Sequence, residues 1–426
     1  MSALDRMLDE FASLGDRAGA ARLAAAQRLR SVGLPSRNED SWRYANLRAL
    51  EQLPTFLPAP AQQPAPAVMS AAAASPAIDA LALPPVLPGF LRLVLIDGRP
   101  RRDLSSAEAA LTAALRSAAE ATEFEAVSDQ RLGLIATVFA ADPLTLTIDA
   151  PLGLEIISLT SPTAPASYLN LTVRVAPGIH CRLVERHLGG AQQQGLVGTC
   201  IDVALAEGAN LLHQRLFEVS GQTLLLDNLQ ANLAARAAYQ LCHIAVGGGS
   251  ARSSAEVRLR GADSTLDWRA LAAGAGPQVN DLMLTVLHDA PGTRSQQLFR
   301  GLANERSHVA CNTDTRVAAQ ARDSQVVQSL RGLLDGAGAE VDLRPQLTIH
   351  TDAIQARHGA TTGKLDDDLL FYLLARGLEP EAARALLKSA FLGEVLKSIE
   401  PEPLRRAAQR ATALRLGDST LSEPWQ

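Results

Sequence analysis

Hydrophobic residues change their spacing along the chain, and each change marks a different kind of predicted structure. In residues 1–53 they recur every three or four positions, as in "LDRMLDEFASL" and "AARLAAAQRLRSVGL", which predicts an N-terminal region of amphipathic helices. A Pro turn follows, and after it we expect Trp42, Tyr44 and Leu47 to pack against other elements. Residues 54–89 are rich in Pro and Ala without periodicity and predict a linker.

Residues 90–143 predict a mixed segment that leads into a β-rich core. "FLRLVLIDGRP" is typical of a strand that ends in an Asp-Gly turn, and "SSAEAALTAALRSAAE" is typical of a helix with a serine cap. From 144 to 356, short strands alternate with turns. The long helices that a doubly wound sheet or a TIM barrel requires are missing from this pattern.

A weak internal repeat runs through the β-rich core. Its corresponding apolar positions follow one another at intervals of roughly 26 to 30 residues: Val175, Leu205, Leu233 and Leu259. Units of this kind must stack to bury their apolar sides. The pattern favours a mainly β fold, a right-handed parallel β-helix flanked by helical regions, although a β-sandwich with hairpin-like connections is compatible with the same spacing.

Residues 357–426 predict a C-terminal helical domain. "LDDDLLFYLLARG" starts with aspartates suited to a helix N-terminus and ends at Gly377, and Pro380 opens a second helix. The apolar residues that share one face of this second helix are Leu386, Leu387, Ala390, Phe391 and Val395. A basic third helix is predicted at "LRRAAQRATALRL". Helices at the end of a solenoid cap its core or present a surface to a partner.

Composition narrows the class of protein. The chain has 426 residues, of which 47% are apolar and 20% charged, with a formal net charge of -5. These values are typical of a globular protein and argue against nucleic-acid or anionic-membrane binding. No apolar run approaches the length of a membrane span, and the acidic N-terminus does not resemble a secretory signal, so we expect a cytoplasmic protein.

The cysteines and histidines give few signs of chemistry. The widely spaced Cys181, Cys200, Cys242 and Cys311 predict reduced, buried thiols rather than a zinc or ferredoxin site. Four histidines fall on predicted strands, where burial with a hydrogen bond is usual: His180, His187, His213 and His243. His288 and His308 flank a turn-rich segment and are expected at the surface. His358 is expected in an exposed turn, within "RHGATTGK".

Motifs of common enzymes are not matched. "HGATTGK" ends like a phosphate-binding loop, but the first glycine of that pattern is replaced by His358, and Leu365 stands where a Ser or Thr is required. Neither G-x-S-x-G nor H-E-x-x-H occurs. A cytosolic β-helix enzyme or binding protein acting on a carbohydrate is one hypothesis left open by the fold alone.

Several segments, in order, resemble the SufB/SufD family of iron–sulfur cluster assembly proteins. They are "GLPSRNEDSWRYANL", "LVLIDGRPRRDLSS", "LNLTVRVAPGIHCRLVERHLG" with Glu185, and the long block from "SQVVQSLRGLLDGAG" to "LLFYLLARGL". The motif "RHGAT" is similar to the SufD branch rather than to the SufB branch. Some members carry a cysteine two residues before the histidine, and here that position is Ala356.

The resemblance implies a non-catalytic scaffold subunit of a SufB–SufC–SufD type complex. It implies a β-helix that pairs with a SufB-like paralogue, and a C-terminal helical region that docks a SufC-like ATPase. His358 would be an iron or cluster ligand at the paralogue interface, where imidazole suits iron. The residues that would bind the ATPase are Leu369, Leu370, Phe371, Tyr372, Leu373, Leu386, Leu387 and Phe391. No stable cofactor is expected, only transient iron or an iron–sulfur cluster, and exposed strand edges make a homodimer credible when the partner is absent.

Overall fold

The structure is a computed structural model, and it describes residues 2–15, 19–36, 38–58, 83–106, 111, 115–117, 129, 131–190 and 192–417. Most of the predicted linker, at 59–82, lies outside the described residues, as do 107–110 and 112–114 of the predicted serine-capped helix. Where that helix was expected to continue, residues 115–117 form a short strand instead.

The helical regions flank the β-rich part as predicted. The N-terminal helices are α1 (Ala3–Ala12), α2 (Ala20–Val32) and α3 (Arg48–Gln52), and α4 (Arg131–Phe139) follows later. The C-terminal helices are α5 (Asp367–Ala375), α6 (Pro380–Leu396) and α7 (Glu402–Arg415). Single turns of 3-10 helix occur at Asp40–Trp42 and Arg102–Leu104. Met7, Phe11 and Leu29 of the first two helices pack with α4 and with Trp42, which confirms the amphipathic pattern and the packing role of Trp42.

Two long sheets contain the strands. The first sheet is formed by β1 (Leu91–Ile96), β2 (Arg99–Pro100), β5 (Leu152–Thr160), β7 (His180–Gly189), β9 (Asn210–Glu218), β11 (Ala238–Ala245), β13 (Thr265–Gly274), β15 (Arg294–Asn304), β17 (Ser324–Asp335) and β19 (Ile354–Lys364). The second is formed by β3 (Leu115–Ser117), β4 (Leu144–Ile148), β6 (Ala166–Val175), β8 (Gly195–Leu205), β10 (Thr223–Leu233), β12 (Ser250–Leu259), β14 (Val279–His288), β16 (His308–Val317) and β18 (Glu340–Ile349).

From β4 onwards the chain alternates between the sheets, so each strand pairs in parallel with the strand two places further along. This is a parallel β-solenoid of about eight turns rather than a sandwich. The predicted repeat positions are directly aligned: Val175 pairs with Leu205, Leu205 with Leu233, and Leu233 with Leu259. All are buried in one core between the sheets. The repeat is therefore real, because each repeat unit is one turn of the solenoid.

The solenoid extends further than the predicted range of 144–356 in both directions. At its start, β1 pairs in parallel with β5, and the turn at Asp97 and Gly98, both with positive φ, connects it to β2 as predicted. At its end, β19 continues to Lys364, although the helical domain was expected to begin at residue 357. Gly359 and Gly363 have no neighbouring atom within 4 Å of an added Cβ and adopt ordinary strand conformations, so glycines that suggested a turn belong to a strand.

The C-terminal helices pack on the outside of the first sheet. Leu392, Val395 and Leu396 of α6 join a core cluster with Leu271, Leu302 and other residues of that sheet. The predicted apolar face of α6 is therefore correct at Val395, which is buried, and at Phe391, which is half-buried and packs against the same cluster. Leu386 and Leu387 are half-buried, and Ala390 is exposed. The sheet fixes the rotation of the helix, and the ion pair between Lys388 and Asp335, at 3.0 Å, adds to this contact.

Candidate functional site at the open end of the solenoid

The interior of the first sheet contains a continuous column of aligned side chains that ends at His358. Pairing of successive strands aligns Leu154, Leu183, His213, Leu241, Trp268, Gln297, Gln328 and His358. All members before His358 are buried; Gln297 is 0% exposed and Gln328 3%. Because side chains alternate between the faces of a strand, this alignment directs His358 to the interior side of β19.

His358 is exposed because the solenoid ends there. β19 and β18 are the last strands of their sheets, and from His358 to Lys364 every residue of β19 is exposed. The strands β18 and β17 contribute Val341, Leu343 and Leu330 to the rim of the core. We define the open end as the interior-facing residues of β18 and β19. His358 thus lies on a terminal strand, not in the predicted turn.

A chain of buried hydrogen bonds lies directly beneath His358. The Gln328 amide donates from Nε2 to Gln297 Oε1 at 3.1 Å and to Thr315 Oγ1 at 3.0 Å. The Gln297 amide donates to the same Thr315 hydroxyl at 2.8 Å. This network joins the two sheets across the interior, one strand from the open end.

The predicted partner-binding residues of α5 form an exposed apolar surface. Leu369, Phe371 and Tyr372 are exposed, and Phe371 is 73% exposed. Leu370 and Leu373 are half-buried. The Asp366 carboxylate caps the helix by accepting hydrogen bonds from the backbone N–H groups of Asp368 and Leu369, at 2.9 and 3.0 Å. The helix is therefore well anchored at its start while its apolar side chains face outward.

A buried ionic cluster, which the sequence did not reveal, fills the solenoid interior farther from the open end. It consists of Glu185, His187, His213, Arg215 and Asp227, all nearly inaccessible. Arg215 donates to Asp227 at 2.8 and 3.0 Å and to Glu185 at 3.1 Å, and His213 Nε2 lies 2.7 Å from Glu185 Oε1. The cluster could have been predicted from ionisable residues at alternate, inward-facing positions of two strands, Glu185 and His187 on β7 and His213 and Arg215 on β9.

Opposite charges determine the protonation of this cluster. Burial alone raises the pKa of Glu185, but the charges of Arg215 and His213, with hydrogen bonds from two histidines, hold that pKa well below its usual value. Burial likewise opposes ionisation of Asp227, and Arg215 outweighs it, so the Asp227 pKa is lowered. Desolvation lowers the pKa of His213. The cluster thus contains an arginine held between two carboxylates.

The remaining histidines and the cysteines lie mostly where expected. His187, His213 and His243 are buried, but His180, predicted to be buried, is exposed at the start of β7. The cysteines are free and buried, as predicted, and burial raises the pKa of Cys181 and of Cys242 to about 12. These thiols are unreactive at neutral pH.

His288 was expected at the surface and is fully buried. It pairs with Leu259 in the second sheet and therefore faces the interior. Its ring nitrogens lie 2.8 Å from Thr293 Oγ1 and 2.9 Å from Ser295 Oγ. Burial lowers the pKa of His288 to about 4.

Within the described part of the chain, no three His, Cys, Asp or Glu side chains are placed to hold a metal ion together. His358 can therefore offer a metal one nitrogen ligand, but its described neighbours do not complete a set of three ligands around it. No helix among the described residues is long and apolar enough to cross a bilayer.

Comparison with known proteins places these features in a family. A family model described as "SUF system FeS cluster assembly, SufBD core domain" matches residues 158–391, more than half of the chain. The chain is 27% identical over 414 residues to the iron–sulfur cluster assembly protein SufD of Escherichia coli K12, covering 92% of this chain and 91% of that protein. It is 25% identical to an iron–sulfur cluster assembly SufBD family protein of Synechocystis, over 64% of this chain and 62% of the other.

Proposed function

Because this chain belongs to the SufB/SufD family of iron–sulfur cluster assembly proteins, we propose that it is the SufD-type scaffold subunit of a SufB–SufC–SufD complex. In this proposal it catalyses no reaction itself. It pairs through the open end with a SufB-like paralogue and through its C-terminal helices with a SufC-like ATPase, in the cytoplasm.

The observation that carries the proposal is the termination of a buried interior column in an exposed histidine. Gln297 and Gln328, the preceding members, are buried only because another strand covers each of them. A second solenoid seated on the open end would cover His358 in the same way. Burial of the exposed apolar rim and of unpaired strand edges would favour this association.

Iron, in the form of an ion or a nascent cluster, is cargo in this proposal and not a resident cofactor. His358 would supply one nitrogen ligand, a donor that iron accepts readily. Since no three candidate ligands converge in the described part of this chain, the remaining ligands must come from the partner or from the cargo itself. A cluster held between two chains can be released when they separate, which suits an assembly site.

The exposed apolar surface of α5 supports the proposal that the C-terminal helices bind a SufC-like ATPase. Single exposed apolar residues are ordinary, but Leu369, Phe371 and Tyr372 lie together on one short, capped helix. The half-buried Leu386, Leu387 and Phe391 of α6 would contribute at its edge, and Leu370 and Leu373 would support it from beneath. ATP hydrolysis belongs to the partner, as no nucleotide motif was identified in this sequence.

The test is co-expression with the SufB-like and SufC-like partners, affinity purification, and anaerobic reconstitution with iron and sulfide. We expect the three chains to co-purify. His358→Ala should leave the complex assembled and lower the yield of cluster at least tenfold. His180→Ala, which alters an exposed histidine far along the solenoid, should behave like the unaltered complex.

Two results would contradict this function. If neither partner co-purified, the scaffold role would be wrong, and a stable homodimer would then be the state to examine. If His358→Ala formed clusters at the normal yield, His358 would have no part in the iron site. Family membership does not support the carbohydrate-acting enzyme, and the ionic cluster around Arg215 lies buried in the interior rather than along an open groove.

A further inference from the structure

Gln328 is the interior neighbour of His358, and one polar atom of its side chain has no hydrogen-bond partner among the described residues. The two residues are directly paired in the ladder between β17 and β19, so their Cα atoms lie about 4.8 Å apart. Both side chains occupy the same interior column. Their side-chain ends can therefore meet without any movement of the backbone.

The amide of Gln328 is oriented by bonds on its nitrogen side. Its Nε2 donates to Gln297 Oε1 and to Thr315 Oγ1, so both amide protons are used. Rotating the amide by 180° would place a carbonyl oxygen against the Gln297 carbonyl oxygen, which is unfavourable. These bonds therefore hold Nε2 of Gln328 towards the inner turns of the solenoid. The atom of the amide that is left without a hydrogen bond must then be the oxygen.

The free atom is the Gln328 carbonyl oxygen, Oε1. It is inaccessible to solvent and has no hydrogen-bond partner among the described residues. A buried acceptor without a donor is unfavourable, and this acceptor belongs to the residue that pairs directly with His358. The side chain of His358 likewise has no hydrogen bond with a described residue, and its neutral imidazole carries one N–H donor.

We propose that Gln328 is a positioning residue for His358, and that its Oε1 accepts the imidazole N–H and so leaves the second ring nitrogen free to bind iron. This deepens the function proposed above and rests on it. A histidine that ligates a metal commonly donates its other N–H to a carbonyl or carboxylate, which fixes the tautomer and the ring orientation. Here Thr315 and Gln297 hold the Gln328 amide in place.

The test uses the full-length, metal-free chain with ¹⁵N-labelled histidine at alkaline pH, where imidazole is neutral. An N–H held by a buried acceptor exchanges slowly with water and gives an observable proton signal, assigned to His358 by its loss in His358→Ala. We expect this signal in the unaltered chain. It should disappear in Gln328→Met, which is similar in size and has no amide.

Thr315→Ser is the matched control, because it alters a residue of the same network but keeps the hydroxyl that accepts hydrogen bonds from both glutamine amides, and so leaves the Gln328 carbonyl oxygen in place. Its His358 signal should persist, and circular dichroism would check that each variant is folded. When the three-chain complex is titrated anaerobically with Fe(II), we expect the complex with Gln328→Met to bind about tenfold or more weakly than the unaltered complex, the usual effect of removing such a partner, with Thr315→Ser unaffected.

The proposal is overturned if the unaltered chain shows no His358 N–H signal, if the signal persists in Gln328→Met, or if that variant binds Fe(II) normally. Failure of the function proposed above has a different signature. In that case the three-chain complex with His358→Ala would bind Fe(II) as tightly as the unaltered complex, whatever the N–H signal showed.

Discussion

At the scale of single residues, Arg215 supplies the positive charge that allows two carboxylates to be buried in the solenoid interior. It is hydrogen-bonded to both Glu185 and Asp227, and all three are buried. Removing the shared partner would leave two carboxylates without a counter-charge in a medium of low polarity, which is far more costly than losing a surface pair.

We therefore expect Arg215→Leu to lower the free energy of unfolding by about 3–5 kcal/mol. The measurement is urea unfolding followed by circular dichroism at neutral pH. The control is Arg236→Leu, which removes the mostly exposed ion pair with Glu207 and should cost less than about 1 kcal/mol. Equal effects of the two substitutions would contradict the role of Arg215.

Burial of His288 makes the free energy of unfolding depend on pH. Its pKa in the folded state is about 4 because of burial, below its ordinary value of 6.5. Between these values the unfolded chain binds a proton at this site and the folded chain does not, so stability falls as the pH falls from about 6.5 towards 4. Above pH 7 the site has no effect.

In His288→Gln this pH dependence should be reduced. Between pH 7 and 4.5 the unaltered chain should lose on the order of 2–3 kcal/mol more stability than the variant. Urea unfolding at several pH values measures the difference, and His180→Gln, at an exposed site, should match the unaltered chain. Parallel stability curves for His288→Gln and the unaltered chain would show that the site does not titrate in this way.

At the scale of elements, α5 combines a firm anchor with an unburied apolar side. The Asp366 cap and Gly377, with φ of 87°, define its ends. Helices of this length are marginal alone, and a partner that covers the apolar side would stabilise the helix as well as gain contact area. We therefore expect substitutions on the exposed face of α5 to have little effect on the free energy of unfolding.

Phe371→Asp should change the free energy of unfolding by less than about 0.5 kcal/mol, because surface substitutions seldom do more. We expect it to weaken binding of the SufC-like ATPase at least tenfold, measured by titration calorimetry. Leu414→Asp is the control, since Leu414 is 65% exposed on α7 and lies outside the proposed surface. If both variants bound the ATPase equally well, α5 would not be the docking helix.

At the scale of the whole molecule, the two ends of the solenoid differ. At the first end each sheet finishes with an antiparallel strand, β2 or β3. At the other end the parallel strands β18 and β19 finish the sheets, and the interior-facing side chains of β19 are largely uncovered. Stacking in a solenoid buries apolar surface only between neighbours, so an uncovered last turn is a surface suited to another solenoid.

Ala360→Asp tests this asymmetry. Ala360 pairs with the fully buried Leu330 and faces the interior, so a covering partner would have to desolvate the new carboxylate. We expect the variant to fold alone and to bind the SufB-like paralogue at least tenfold more weakly. Thr361→Asp places the same charge on the opposite face of β19 and should have a smaller effect; the reverse order would place the interface on the outer face.

Local patterns determined the elements and the architecture. Helical periodicity predicted α1, α2, α5 and α7, and the equal spacing of Val175, Leu205, Leu233 and Leu259 predicted the stacked turns. These features depend on short-range periodicity and on a repeated length, both of which are properties of the chain as written. The resemblance to the SufB/SufD family was likewise recognised in the sequence alone, from motifs that occur in the family's order along the chain.

Only the tertiary structure decided what each side chain faces. "RHGATTGK" has the glycines of a turn but forms a strand because β17 offers it a complete ladder of hydrogen bonds. Docking on a sheet set the rotation of α6, and stacking brought Glu185, Arg215 and Asp227 together from three strands. Gln328 and His358 are thirty residues apart in sequence and adjacent in space, because one turn of the solenoid separates them. Burial and pairing depend on contacts between distant segments, which local periodicity does not contain.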